Sequence, residues 1–126
     1  MDAMSLGPLG QIGLTVTDVA RSVAFYRDLL RIPFLFEFPN LAFFDCGGVR
    51  LMLSTGAGEK DPKKFSSILY FKVPDIQSAA ADLSSRGVAF VQEPRMIARM
   101  PDHELWMAFF EDPDANTLAL MSEVRS

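Results

Sequence analysis

The chain has 126 residues, of which 49% are hydrophobic and 22% charged, with eleven Phe and a formal net charge of -4. That length suits one compact domain able to bury roughly two thirds of the surface its unfolded chain exposes, and the composition is that of a folded chain rather than a disordered segment. The acidic balance, with no basic run longer than Lys63-Lys64, argues against nucleic acid as a partner, the lone Cys46 excludes an intrachain disulfide, and no apolar run is long enough to suggest a membrane span.

Residues 1–8 carry neither the basic nor the apolar region of a secretory signal, so a cytoplasmic location is expected. Ile12, Leu14 and Val16 then alternate with Gln11, Gly13, Thr15 and Thr17, the period of a half-buried strand. Asp18 is a good N-cap, and apolar positions from Val19 through Val23 and Tyr26 to Leu30 recur at helical spacing, which predicts one helix over 19–30 with Pro33 marking its exit. A strand over 34–38 follows. Pro39-Asn40 turns the chain into a hairpin over 41–53, built on Ala42-Phe43-Phe44, Asp45, the Gly47-Gly48 turn and Leu51-x-Leu53. The stretch from Thr55 to Lys64 is polar and aperiodic, and reads as a linker.

The pattern then starts again. Leu69, Phe71 and Val73 alternate, Asp75 takes the N-cap place, a helix runs through Ile76, Ala80 and Leu83 to Arg86, and Gly87 stops it. A strand over 88–91 is followed by Pro94, by a segment from Arg95 to Glu104 that reads as a mobile loop, and by a hairpin over 108–121. Val16-x-Asp18 recurs 57 residues on as Val73-x-Asp75, and Ala42-Phe43-Phe44 recurs 66 residues on as Ala108-Phe109-Phe110, the surplus falling mostly in 95–104. The expected organisation is a single domain over 1–126, with a first strand-helix-strand-strand-strand unit over 11–54, a linker over 55–66 and a second unit over 67–122.

With Phe25-Tyr26 inside its first helix and Phe110-x-Asp112-Pro113-Asp114 before its last strand, this duplicated unit resembles the vicinal oxygen chelate superfamily of glyoxalase I, extradiol dioxygenases, methylmalonyl-CoA epimerase and the bleomycin and fosfomycin resistance proteins. The resemblance runs from Gln11 to Met121, and its most specific pieces are residues 25–30 and 111–116. It implies an α+β fold in which two βαβββ units curl their mixed sheets into a cup, with helices outside and ligand inside. Ala115 stands where the family usually has Gly, a departure that touches turn geometry. Family enzymes hold a divalent ion with a His on each first strand and a Glu on each last strand. The matching positions here are Gln11, Ile68, Met52 and Ala119, three of which cannot ligate a hard cation, so neither the metal nor any other cofactor is expected.

Period-2 counting supplies a cup lining independently of the family. If Leu14, Leu51, Leu53, Phe71 and Leu120 face the helices, the alternates Gln11, Thr15, Arg50, Met52, Ile68, Tyr70, Lys72, Ala119 and Met121 face the cup, and with Trp106 they form the candidate ligand-binding set. An apolar floor edged by hydroxyls and two cations fits a flat or aromatic ligand with an anionic or carbonyl group; the plainer reading is that Met and Ile are core while Arg50 and Lys72 are solvated. His103, the only histidine, sits beside Glu104, and the pair are the candidate acid-base residues, against the alternative of an exposed loop histidine. Trp106 stacks on ligand or fills the core. Cys46 reads as an inert small residue.

The resulting expectation is a cytoplasmic homodimer of the resistance or sequestration type that binds a small organic molecule without metal, nucleic acid or membrane. One alternative is a metal-independent lyase or isomerase that uses His103 and Glu104 on a carbonyl substrate. Another is a non-catalytic structural or regulatory domain.

Overall fold

The computed structural model describes residues 8–55 and 67–125. The expected linker over 55–66 therefore lies, apart from Thr55, outside the described residues, as do residues 1–7 and 126. The first unit consists of β1 (Gln11–Thr15), α1 (Val19–Val23) with a π-helical continuation (Ala24–Leu29), β2 (Phe34–Phe38), β3 (Leu41–Cys46) and β4 (Val49–Ser54). The second consists of β5 (Leu69–Lys72), α2 (Ile76–Ser85), β6 (Phe90–Arg99), β7 (Glu104–Glu111) and β8 (Thr117–Val124). Each unit folds into a four-stranded mixed sheet, ordered β1-β4-β3-β2 and β5-β8-β7-β6. The first strand of each unit lies parallel to the last and the others pair antiparallel, which gives the expected α+β architecture.

The alternation read from the sequence sorts the faces. Leu14, Val16, Leu51, Leu53, Leu118 and Leu120 are buried and join Val19, Val23, Ile76, Ala80 and Leu83 from the helices in one hydrophobic cluster that spans both units. Both helices start on the expected caps: Asp18 accepts from the Arg21 amide at 3.1 Å, and Asp75 from the Ser78 amide at 3.1 Å. The bond from the Ser78 amide, seconded by its hydroxyl, holds the Asp75 carboxyl below the usual carboxylate range. At the β3–β4 turn Gly47 and Gly48 take φ of 68° and 98°, the left-handed pair a tight hairpin demands, while Asp45 accepts from the Gly48 amide. Among the described residues no helix is long and apolar enough to cross a membrane.

Two expectations are corrected. The helix over 19–30 is not uniformly α: from Ala24 it widens, with the Leu30 amide bonded to the Phe25 carbonyl five residues back. A π turn brings successive residues closer in direction around the axis, and the adjacent aromatics Phe25 and Tyr26 are both buried there. The segment from Arg95 to Glu104 is not a loop, since β6 runs through Pro94 to Arg99 and the connection to β7 shrinks to residues 100–103. Pro94 is tolerated because β6 is the outermost strand of its sheet, where a missing N–H leaves no neighbour unpaired, and the ladder shifts register between Gln92 and Arg95. The surplus of the second unit has thus lengthened its hairpin.

Candidate functional site

The two most family-like motifs touch. Tyr26, buried in the π segment, donates its hydroxyl to Asp112 at 2.7 Å, and Asp112, only 5% exposed, also accepts from the Asn116 side chain (2.9 Å) and from the backbone amides of Asp114 (2.9 Å) and Asn116 (2.8 Å). Asn116 in turn donates to the Thr15 carbonyl at 3.1 Å, and Asp114 accepts from the Thr17 hydroxyl at 2.6 Å and pairs with Arg21 at 3.1 Å. The β7–β8 turn of the second unit is thereby bolted to the first strand and first helix of the other. Ala115 completes that turn at φ 66°, a left-handed conformation that costs an L residue roughly 1 kcal/mol relative to Gly.

With the units fixed in this way, a cavity of about 490 Å³ opens at the seam between the β1–β4 end of one sheet and β5 of the other. Ile12, Cys46, Arg50, Ile68, Tyr70 and Lys72 are among its walls, so four of the candidate ligand-binding residues come together in one space. Arg50 is held rather than loose: its Nε donates to Gln11 Oε1 at 2.8 Å, and its guanidinium carbon lies 5.3 Å from the centre of the Phe43 ring. The Gln11 amide nitrogen reaches Met52 Sδ at 3.8 Å, which ties Gln11 and Met52 to the same cluster. Burial, and then the neighbouring Asp45 carboxylate, push the Cys46 thiol above its ordinary pKa, so it presents a neutral S–H to the cavity and not a thiolate nucleophile.

The rest of the candidate set is dispersed. Ala119 faces the concave side but is 0% exposed, flanked by Tyr70 on β5 and Phe109 on β7, whose rings meet edge to face at 6.2 Å. Thr15 lies at the far end of β1, where its carbonyl serves the Asn116 bond, and Met121 pairs with Lys72 and Met107 midway along β8. Of the two readings of Trp106, the structure favours the core. Trp106 shares a strand face with Ala108 and Phe110, packs against the core, and donates its indole N–H to Glu104 at 3.0 Å, because residues two apart on β7 point the same way. Glu104 is further engaged by Arg99 at 2.9 Å, while His103 Nδ1 pairs with Asp102 at 2.8 Å rather than with Glu104. The expected His103-Glu104 couple is therefore not formed.

Phe36, Phe43 and Phe109 were absent from the candidate set, yet they pave the concave faces. Phe43 pairs with Met52 and Phe109 with Ala119, and the Phe36 and Phe43 rings stand 5.0 Å apart. The signal was available: in each Ala-Phe-Phe run, period-2 counting sends one Phe to the core and the other to the cup.

The four positions that the resemblance assigns to a metal do not fit one. The oxygen of Gln11 is taken by a guanidinium, a like-charged neighbour for any cation, Met52 offers only a thioether already met by an N–H, and Ile68 and Ala119 offer no donor. Among the described residues no group of three His, Cys, Asp or Glu side chains is placed to hold a metal ion.

A pair of βαβββ units bolted at their turns, with concave apolar faces and a seam cavity between them, defines the class of protein. The chain belongs to the glyoxalase/bleomycin resistance protein/dioxygenase superfamily, whose sequence profile matches residues 9–120. It is 30% identical to protein YraH of Bacillus subtilis (strain 168) over 126 aligned residues, 87% of this chain and 94% of that one. Its fold is similar to that of TnmS3, an antibiotic binding protein from Streptomyces sp. CB03234 (TM-score 0.77, 21% identity, 96% of this chain and 99% of that chain). It is also similar to a lactoylglutathione lyase from Agrobacterium tumefaciens (TM-score 0.73, 17% identity, 94% and 95%).

Proposed function

We propose that this chain binds a small, flat organic molecule bearing an anionic or carbonyl oxygen in the seam cavity, without a divalent metal, as a resistance or sequestration protein. The observation that carries this reading is that Arg50 and Lys72, drawn from different units, line one cavity of about 490 Å³ whose remaining walls are mainly apolar and aromatic. Cavities of roughly 300–1,000 Å³ with few polar groups are the usual form of a small-molecule site. The likeness to an antibiotic binding protein supports the same choice. Arg50, oriented by Gln11 and by the Phe43 ring, supplies a fixed cation, and Lys72 supplies a second one from the other unit.

A charge-assisted hydrogen bond contributes about 1.5–3 kcal/mol, so Arg50→Ala and Lys72→Ala are each expected to weaken binding by roughly tenfold to a hundredfold. Calorimetric titration of a panel of planar carboxylates, phenolates and quinones, with cationic aromatics as controls, measures this. Preferential binding of the cationic compounds, with affinity unchanged in both variants, contradicts the anionic-ligand reading.

The protein is further proposed to be a homodimer. Phe36 and Phe38 on the edge strand β2, and Ile68 and Tyr70 of the second unit, are exposed, Phe38 at 52% and Tyr70 at 45%, and this apolar and aromatic surface is what a second copy would cover. Light scattering is expected to return twice the 14.0 kDa chain mass at micromolar concentration. A single-chain mass throughout that range refutes the dimer.

A further inference from the structure

A second cavity, distinct from the seam, lies on the convex side beneath α2. It measures about 220 Å³ and is bounded by Leu30 and Ile32 from the exit of the π segment and by Phe71, Phe110 and Leu120 of the second sheet, with Ala79 in its helical wall. The charged residues at its rim are already engaged: Arg86 donates through Nη1 to Asp82 at 2.7 Å and through Nε to the Leu29 carbonyl at 2.9 Å, closing the end of the π segment. Among the described residues no buried side-chain nitrogen or oxygen lacks a partner.

Apart from Asp82 and Arg86, which pair with each other at the rim, every residue lining the space is apolar, so it suits a mainly apolar guest. A guest that fits these walls adds dispersion contacts with the apolar side chains and takes their surface out of water. Size sets the class of molecule. An apolar cavity of about 150 Å³ accepts benzene, so about 220 Å³ accommodates a fused two-ring compound.

We propose that this cavity is a second binding site, for small neutral aromatic molecules of one or two rings. Because Leu30 and Ile32 come from the first unit and the other walls from the second, the guest touches both halves of the chain. It occupies the joint that the Arg86 to Leu29 bond spans. Binding therefore strengthens the docking of the two units, independently of what fills the seam cavity. A π segment ending at the cavity fits this reading, since such turns recur beside functional sites.

Indole added to the full chain is the probe. The expected result is a saturable rise in melting temperature, with nuclear Overhauser contacts from indole protons to the methyls of Leu30 and Ile32. Ala79→Leu, which places a side chain in the cavity, is expected to weaken indole binding at least tenfold, and Ala79→Met does the same with a more adaptable filler should the leucine disturb folding. Arg50→Ala, in the other cavity, should leave indole affinity unchanged. No saturable binding by the wild-type chain, binding that survives both fillers, or loss of binding in Arg50→Ala overturns the proposal.

Discussion

Replacing Asp112 by alanine is expected to destabilise the protein by about 3–5 kcal/mol, a large share of the roughly 5–15 kcal/mol that holds a domain of this size together. The carboxylate accepts four hydrogen bonds, from the Tyr26 hydroxyl, the Asn116 side chain and two backbone amides. Its loss leaves these donors in a place where Asp112 and Asn116 are almost wholly buried and Tyr26 is completely so. An unpaired buried donor costs about 1–3 kcal/mol, and the sum is less than additive because the turn relaxes. Tyr26→Phe removes one donor cleanly and should cost only about 1–2 kcal/mol. A double-mutant cycle in chemical denaturation measures the coupling, and a cost below about 1 kcal/mol for Asp112→Ala would show that the turn is not what bolts the units together.

The same pair predicts an alkaline limit. Burial first, and then the Asp112 carboxylate and its hydrogen bond, raise the Tyr26 phenol well above its ordinary value. The folded chain keeps a proton that the unfolded chain surrenders near pH 10, so this contribution to stability is fully present below about pH 10 and is lost progressively as the pH rises further. Tyr26→Phe should make stability fall less steeply above that pH, by one proton's worth of slope.

Phe44→Ala and Phe110→Ala are each expected to cost about 3–5 kcal/mol, whereas Phe43→Ala and Phe109→Ala, one residue earlier, should each cost less than about 1.5 kcal/mol. Phe44 and Phe110 are buried and meet Phe34 and Phe90 at ring distances of 5.5 Å and 5.2 Å, so truncation leaves a cavity under the sheet. Phe43 and Phe109 point the other way, toward the concave side, and are only partly buried. Phe43→Ala also removes the ring beneath Arg50, and should change ligand affinity more than stability. Equal stability losses within either Phe-Phe pair, measured by urea denaturation, would contradict the assignment of faces.

Much of this was legible in the residues because it depends on local periodicity. Alternation places Leu14, Leu51, Leu53, Leu118 and Leu120 in the core and Arg50, Tyr70 and Lys72 on the other face, and the backbone geometry of a strand allows no other outcome once the strand exists. Asp18 and Asp75 marked both helix starts for a similar reason, since a cap is satisfied by amides three residues away. The recurrence of Val-x-Asp and Ala-Phe-Phe likewise pointed to two similar units and to the family.

What local pattern does not carry is partnership across the chain. Pro94 read as the end of a strand because a proline removes a backbone donor, and only the position of β6 at the sheet edge, where that donor is not needed, shows why the strand continues. Trp106 and Glu104 stood next to His103 in sequence, but strand parity sends them to the helix side, and His103 finds Asp102 instead. Arg50 and Lys72 share a cavity because two units 57 residues apart in register pack along a seam. By itself, then, the sequence determined which residues each strand offers to which face, since side-chain direction follows from the backbone period. Which of those residues meet was decided by the tertiary structure alone, through the Tyr26–Asp112 bolt and the packing between units, whose partners lie tens of residues apart.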